Sequence, residues 1–368
     1  MYSHTLHDLG WSFFFASSFD SLDLAGLAPA RVARAGRERY LLMHDRGVSP
    51  AVIAGRLRHG ALAPEDLPVV GDWVAARLER NLAGSGSSAP APGVSRIEAV
   101  LPRRTLLTRL DPSSGKSRQP MAANVDLVLL AAGLDHDFNP RRLERGAVLA
   151  RDADADPVIV LTKADLRPDR RRELSLAMAA APGASVLAVS SRTDEGLDEL
   201  RALLVSGLTA VLLGSSGAGK STLVNRLLGS DRQTTAPVRE SDSRGRHATT
   251  RRELFPLPGG GLLIDTPGLR AFGLTGEEGV DGLFGDVERF AASCRFRDCR
   301  HESEAGCGVK EALERGELEP ERYHSYLKLR REAERVERLR SGGPDLEAKR
   351  RSRELGRLQK RYARTAKR

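Results

Sequence analysis

Ala210-Val-Leu-Leu-Gly214-Ser215-Ser216-Gly217-Ala218-Gly219-Lys220-Ser221-Thr222 is the stretch on which this 368-residue chain turns. The apolar run 211–213 reads as a buried strand, and Leu223, Val224, Leu227 and Leu228 continue as one face of a helix closed by Gly229. Between them lies a glycine-rich loop whose backbone adopts angles that other residues resist, so that its amides converge on phosphate oxygens. Lys220 then reaches the β- and γ-phosphates, Ser221 holds Mg²⁺, and the helix N-terminus adds its dipole. Ser215, Ser216, Gly217, Ala218 and Thr222 complete the cradle. Glycine-rich turns also arise for plain geometric reasons, but strand, spacing, Lys-Ser and helix together specify a nucleotide-binding loop.

Two further motifs bear on the same ligand. Leu262-Leu-Ile-Asp265-Thr-Pro-Gly268 ends an apolar strand 45 residues after Lys220. It places a carboxylate where it can hold Mg²⁺ through water, and the Gly268 amide where it senses the γ-phosphate. Val160-Leu-Thr162-Lys163-Ala-Asp165 also ends a strand. Asp165 there accepts from the N1–H and 2-amino groups of guanine, a donor pair that adenine lacks, while the Lys163 stem lies over the base. Ser190 and Ser191 end the next strand and close over the base edge. Between the loop and Asp265 runs Ser243-Arg-Gly-Arg-His247-Ala-Thr249-Thr250-Arg-Arg252. A threonine here, Thr250 before Thr249, ligates Mg²⁺ only in the triphosphate state, and His247 is a candidate to orient the attacking water. Leu269 stands where Ras-like enzymes carry a water-positioning Gln, so slow intrinsic hydrolysis accelerated by a partner is expected. The guanine-reading motif comes before the phosphate-binding ones, the reverse of the Ras-like order.

Cys294-x4-Cys299-x-His301-x5-Cys307 uses every cysteine in the chain. Three sulfurs and one imidazole make a closed tetrahedral set for one structural Zn²⁺, against the alternative of three buried thiols filling a core.

Composition sets the frame. With 40% hydrophobic and 29% charged residues the chain reads as a globular cytoplasmic protein with no membrane segment, and Phe13-Phe14-Phe15 is too short for a signal core. Of 58 Lys/Arg and 49 Asp/Glu, the last 39 residues hold 15 and 6, leaving 43 of each elsewhere. The whole excess of +9 is therefore a C-terminal block, the electrostatic footprint of a polyanion partner. Residues 1–28 show little periodicity and read as an aromatic strap. Short strand-like segments at 30–35, 39–43, 52–57, 69–78 and 94–100, the last two joined by a Gly/Ser/Ala/Pro-rich loop at 83–93, suit a small barrel. From residue 125 strands alternate with helices, which means a three-layer, mostly parallel sheet. Beyond 285 the chain is polar and helical, with Gly342-Gly343-Pro344 before a basic tail.

These residues resemble one family closely, the circularly permuted small ribosomal subunit biogenesis GTPases called RsgA. The likeness is carried by Pro68-Val-Val-Gly-Asp72, Gln119-Pro-Met-Ala-Ala-Asn-Val-Asp126, Gly245-Arg-His-Ala-Thr-Thr250, Asp265-Thr-Pro-Gly268, the Cys/His cluster and Arg322-Tyr-His-Ser-Tyr-Leu-Lys328. It implies an OB-fold barrel at 29–110, a permuted α/β P-loop GTPase domain at 111–285 and a mainly helical zinc-binding domain at 286–340, before the tail at 341–368. It also implies GTP hydrolysis to GDP, stimulated by the small ribosomal subunit and serving its late maturation, with rRNA as partner and a monomeric chain. Thr162 replaces the Asn common in the guanine motif, and the shorter side chain is expected to brace that loop less well; Ala248 replaces a Thr often found after the switch His. An ATP-dependent P-loop enzyme and a nucleic-acid-binding zinc module with a vestigial nucleotide site are the rival readings.

Overall fold

The computed structural model describes residues 4–22, 25–36, 38–79, 93–110, 118–215, 217–229, 252–266, 280 and 283–341. The parallel sheet is built from the most apolar stretches of the chain. Strands β1 (Ala28–Ala35), β2 (Tyr40–His44), β3 (Gly47–Ile53), β4 (Trp73–Arg77) and β5 (Ser95–Val100) come first. They are followed by the hairpin β6 (Leu106–Leu110) and β7 (Arg118–Ala123), then β8 (Leu127–Gly133), β9 (Asp156–Thr162), β10 (Ser185–Ala188), β11 (Thr209–Gly214), β12 (Glu253–Pro256) and β13 (Leu262–Asp265).

Five of these, ordered β10-β9-β8-β11-β13, run parallel, with β12 antiparallel at their side. Alternate residues serve opposite faces: Val128 and Leu130 of β8 join one apolar cluster, and Leu129 and Ala131 the other. Helices Pro140–Arg151 and Arg171–Ala180 cover the first face, Leu197–Leu203 and Lys220–Leu228 the second. That is the expected three-layer arrangement. Asn139 caps Pro140–Arg151 by accepting from the Arg142 amide at 3.3 Å, and proline follows in the first turn, as the Asn-Pro pair requires.

The first five strands close on themselves in the order β1-β2-β3-β5-β4, with β1 pairing back to β4 and only β3–β5 parallel. This is the five-stranded barrel expected, with one displaced element. The third strand lies at Gly47–Ile53 rather than 52–57, and Gly55–Gly60 is a helix. Pro50 inside that strand, opposite Leu41, disguised it, because proline withholds a ladder donor. The hairpin β6–β7 went unread, and it straddles residue 110. The strap is also more regular than expected. Phe13–Asp20 is helical, and Trp11, Phe15 and Phe19, four apart, turn one face inward. The rings of Trp11 and Phe15 meet Trp73 of β4 at centroid distances of 4.7 and 5.9 Å, while Phe13 stays 86% exposed.

Strap, barrel and sheet meet at Arg31 of β1, which is buried. Its guanidinium donates to the carbonyls of Leu9 in the strap, Gly71 before β4 (3.2 Å) and Asn124 after β7 (3.0 Å), and to Thr209 Oγ1 at the start of β11 (2.8 Å). Around it the junction motifs find structural work. Asp72, fully buried, receives a two-pronged ion pair from Arg103 at 2.7 Å and the Val69 amide at 2.8 Å. Asn124, at φ +54, donates to Gly71 O at 3.1 Å and accepts from the Arg104 amide at 2.9 Å. Gly71 sits at φ +90, and a Cβ there would stand 2.1 Å from Ala123 O, so glycine is required.

At the other end, helices Gly285–Ala291, Gly308–Glu314 and Pro320–Ser341 join the apolar cluster of the first face and contact the helices that cover it. Arg322 pairs with Asp286 at 3.0 Å and lies 4.0 Å over the Phe284 ring, while Arg145 of Pro140–Arg151 pairs with Glu332. No helix among the described residues is long and apolar enough to cross a membrane.

Arg31→Ala should lower stability by roughly 3 kcal/mol, because it strands buried carbonyls, and Arg31→Lys should not restore it, since an ammonium cannot reach all four acceptors. Urea unfolding followed by tryptophan fluorescence checks both.

Candidate nucleotide site and metal centre

Because β8, β9, β10, β11 and β13 are parallel, the loops leaving their C-terminal ends share one edge of the sheet, where open α/β sheets bind ligands. The phosphate-binding loop leaves β11 at Gly214, whose φ of +156 and 2.5 Å approach of a would-be Cβ to Ala131 O admit only glycine. Gly217 and Gly219, at φ +89 and +76, carry the chain to the helix at Lys220. That helix ends on Gly229 in the left-handed region, the terminator read from the sequence. Ala218 is buried, and Ser221 and Thr222 open to solvent at the helix start.

Lys220 Nζ caps the loop by donating to the carbonyls of Gly214 (2.8 Å) and Ser215 (2.5 Å). Burial holds its ammonium below the usual lysine range, opposed by Asp265 and Asp137. Asp265, buried at the end of β13, is pushed up by burial and held down in part by Lys220. Each charge is thus only partly compensated, and Asp265 and Ser221 are the hard oxygen donors that suit Mg²⁺ beside a phosphate.

The guanine-reading loop lies against this cradle. Thr162 Oγ1 donates to Ala218 O at 2.7 Å and approaches Ala132 O at 3.3 Å. The shorter side chain, expected to brace the loop less well, thus still makes the tie to the phosphate loop. Lys163, at φ +59, turns the chain and directs its ammonium to Asp135. Ser190 Oγ donates to Asp165 Oδ1 at 2.6 Å and accepts from the amides of Arg192 and Thr193 at 3.2 Å, so it orients the Asp165 carboxylate. Ser191 offers its carbonyl to Arg226 Nε at 2.8 Å. Ser216, His247, Thr249, Thr250 and Gly268 lie outside the described residues, as do the 83–92 loop and the basic tail from 342.

Asp135 and Asp137 were missed in the sequence. Asp137 accepts from Ser215 Oγ and from Arg142 Nη1 (2.6 Å). The available signal was an Asp-x-Asp turn one residue beyond Gly133, at the C-terminal end of a buried strand.

The four cluster residues also converge. One donor atom from each of Cys294, Cys299, His301 and Cys307 lies within 4.8 Å of the others. His301 Nδ1 is 3.4 Å from both Cys294 Sγ and Cys307 Sγ, which are 3.9 Å apart. Tetrahedral zinc at ordinary bond lengths requires about 3.5 and 3.8 Å for such pairs, so the set fits. Tyr323 Oη donates to His301 O at 2.5 Å and fixes that turn, in which His301 has φ +63.

A family model described as RsgA GTPase matches residues 100–275. The small ribosomal subunit biogenesis GTPase RsgA of Opitutus terrae is 47% identical over 330 residues, covering 89% of each chain. Its namesake from Streptomyces avermitilis is 44% identical over 338 residues, 91% of this chain and 87% of that one. The chain belongs to the RsgA family of GTPases. Among solved structures, YjeQ from Thermotoga maritima aligns with a TM-score of 0.60 and 26% identity, over 83% of this chain and 98% of that one. YloQ, described as a circularly permuted GTPase, aligns with a TM-score of 0.59 and 26% identity, over 84% and 96%. This RsgA-family chain is accordingly a GTP hydrolase, and its nucleotide is a guanine nucleotide. The matched segment holds Thr162 to Asp165, Gly214 to Ser221 and Asp265, and ends before the Cys/His cluster.

Thr162→Val keeps the shape and removes the tie to Ala218, so guanine-nucleotide affinity should fall about tenfold, and Thr162→Asn should retain it. Titration with a fluorescent GDP analogue measures the difference.

Proposed function

We propose that this GTPase serves late maturation of the small ribosomal subunit, binds its rRNA, and hydrolyses GTP to GDP and phosphate fastest when docked on that particle. The observation that carries the reading is that relatives bearing the small-subunit name match about nine-tenths of the chain, barrel and Cys/His segment included. The basic excess in the last 39 residues supports an RNA partner, because neutralising phosphates releases counterions.

At the site, Asp165 accepts from the guanine edge with its carboxylate set by Ser190, and Lys163 covers the base. Lys220 and the loop amides hold the phosphate charge that builds as the γ-phosphoryl group leaves. Ser221, Thr250 or Thr249 and, through water, Asp265 would hold Mg²⁺, which would supply further neutralisation there. His247 orients the water, and the Gly268 amide reads the γ-phosphate. With Leu269 in the place of a water-positioning Gln, unstimulated turnover is slow. Cys294, Cys299, His301 and Cys307 would hold one Zn²⁺ and fill its four positions, which is a structural role.

Asp165→Asn should weaken GTP at least tenfold while leaving ATP as poor as before, because only the acceptor pair for guanine is lost. Steady-state hydrolysis with and without purified small subunits should show strong stimulation of the wild type and little of His247→Ala. Equal rates with and without the particle would sink the ribosomal reading. Elemental analysis should find one zinc ion per chain in the wild type and none in Cys299→Ser.

A further inference from the structure

We propose that Asp135 and Asp137, which belong to no nucleotide-binding motif, are positioning residues that clamp the guanine-reading loop to the phosphate-binding loop. The inference deepens the guanine-nucleotide reading and rests on it.

Sheet order places the clamp. β8 lies between β9 and β11, so the turn leaving Gly133 is flanked by the loop leaving Thr162 on one side and the loop leaving Gly214 on the other. The Leu134 amide donates to Thr162 O at 2.9 Å and sets the turn against the guanine motif. Asp135 Oδ1 accepts from the Asp137 amide at 3.0 Å, which folds the turn on itself and aims the two carboxylates apart. Asp135 Oδ2 then takes the Lys163 ammonium, and Asp137 Oδ2 takes the Ser215 hydroxyl. Arg142, from the first turns of Pro140–Arg151, backs Asp137 Oδ1 at 2.6 Å. Gly133 leaves the room, since a Cβ there would stand 2.6 Å from Asp135 Oδ1.

Each carboxylate acts at one end of the nucleotide. Asp135 anchors the far end of Lys163, whose stem covers the base. Asp137 fixes the side chain of the second residue of the phosphate loop. Without them both loops must be ordered when nucleotide binds, which costs affinity and leaves the chemistry of the bound complex nearly unchanged.

The test uses the full chain and compares wild type, Asp135→Ala, Asp137→Ala, Asp137→Asn, Ser215→Ala and the Asp137→Ala/Ser215→Ala double variant. The readouts are GTP hydrolysis, GDP titration and competition by inorganic tripolyphosphate, which carries phosphates and no base. Asp135→Ala and Asp137→Ala should each raise KM for GTP and Kd for GDP about tenfold with kcat within about twofold, and the double variant should bind GDP no worse than the weaker-binding of its two singles. Asp137→Asn, which keeps an acceptor for Ser215, should recover most of the loss and exclude misfolding as its cause. Tripolyphosphate should compete less well against Asp137→Ala and unchanged against Asp135→Ala. Additive losses in the double variant, or wild-type GDP affinity in both aspartate variants, would overturn the clamp. Wild-type indifference between GDP and ADP would instead sink the guanine reading, and the base-end half of the clamp with it.

Discussion

A buried guanidinium with no carboxylate in contact among the described residues holds three parts of this chain in one arrangement. Arg31 leaves water for three carbonyls and a hydroxyl drawn from the strap, the barrel, the junction after β7 and the foot of the phosphate-loop strand. Burial lowers its pKa to about 10, so it remains charged at neutral pH and its donors must be satisfied. A planar fork with five donors suits this place, because each acceptor comes from a different segment and each bond fixes one more body. The neighbouring ion pair of Asp72 with Arg103 and the left-handed Asn124 serve the same joint, which meets β11 at its first residue whereas the phosphate loop leaves its last.

The sheet was legible wherever the sequence was apolar on both faces. β8, β9 and β11 appear as near-continuous runs of Val, Leu, Ile and Ala, the pattern of strands buried on both faces. The P-loop and the strand ending in Asp265 followed from spacing, and the Cys/His cluster from chemistry alone. What escaped lacked a periodic signal or broke a local rule. β3 contains a proline, the hairpin β6–β7 is joined by polar residues, and the strap helix hides its inward face behind two additional phenylalanines. Asp135 and Asp137 escaped for another reason. Their role depends on β8 lying between β9 and β11, and strand order is a property of the sheet, not of any segment.

That order also reconciles the reversed motifs with a conventional site. Ligand recognition depends on which loops leave adjacent strands, and adjacency survives when the chain is re-cut elsewhere. The guanine-reading loop comes 49 residues before Gly214 when counted from Asp165, yet Thr162 touches Ala218. Moving the guanine motif forward leaves β13 as the last strand among the described residues, and the described chain from Gly285 on is helical.

The two flanks of that sheet carry a consequence for solubility. β10 at one side has four residues, too few to template a foreign strand. At the other, β12 is equally short, ends in Pro256, and meets barrel strand β1 through the Arg34–Glu253 rung, reinforced by an ion pair at 2.6 Å. The barrel closes on itself through β1 and β4. A sheet of this extent would ordinarily invite edge-to-edge association. Here the docked barrel acts as a stopper and keeps copies of the chain from adding strands to one another.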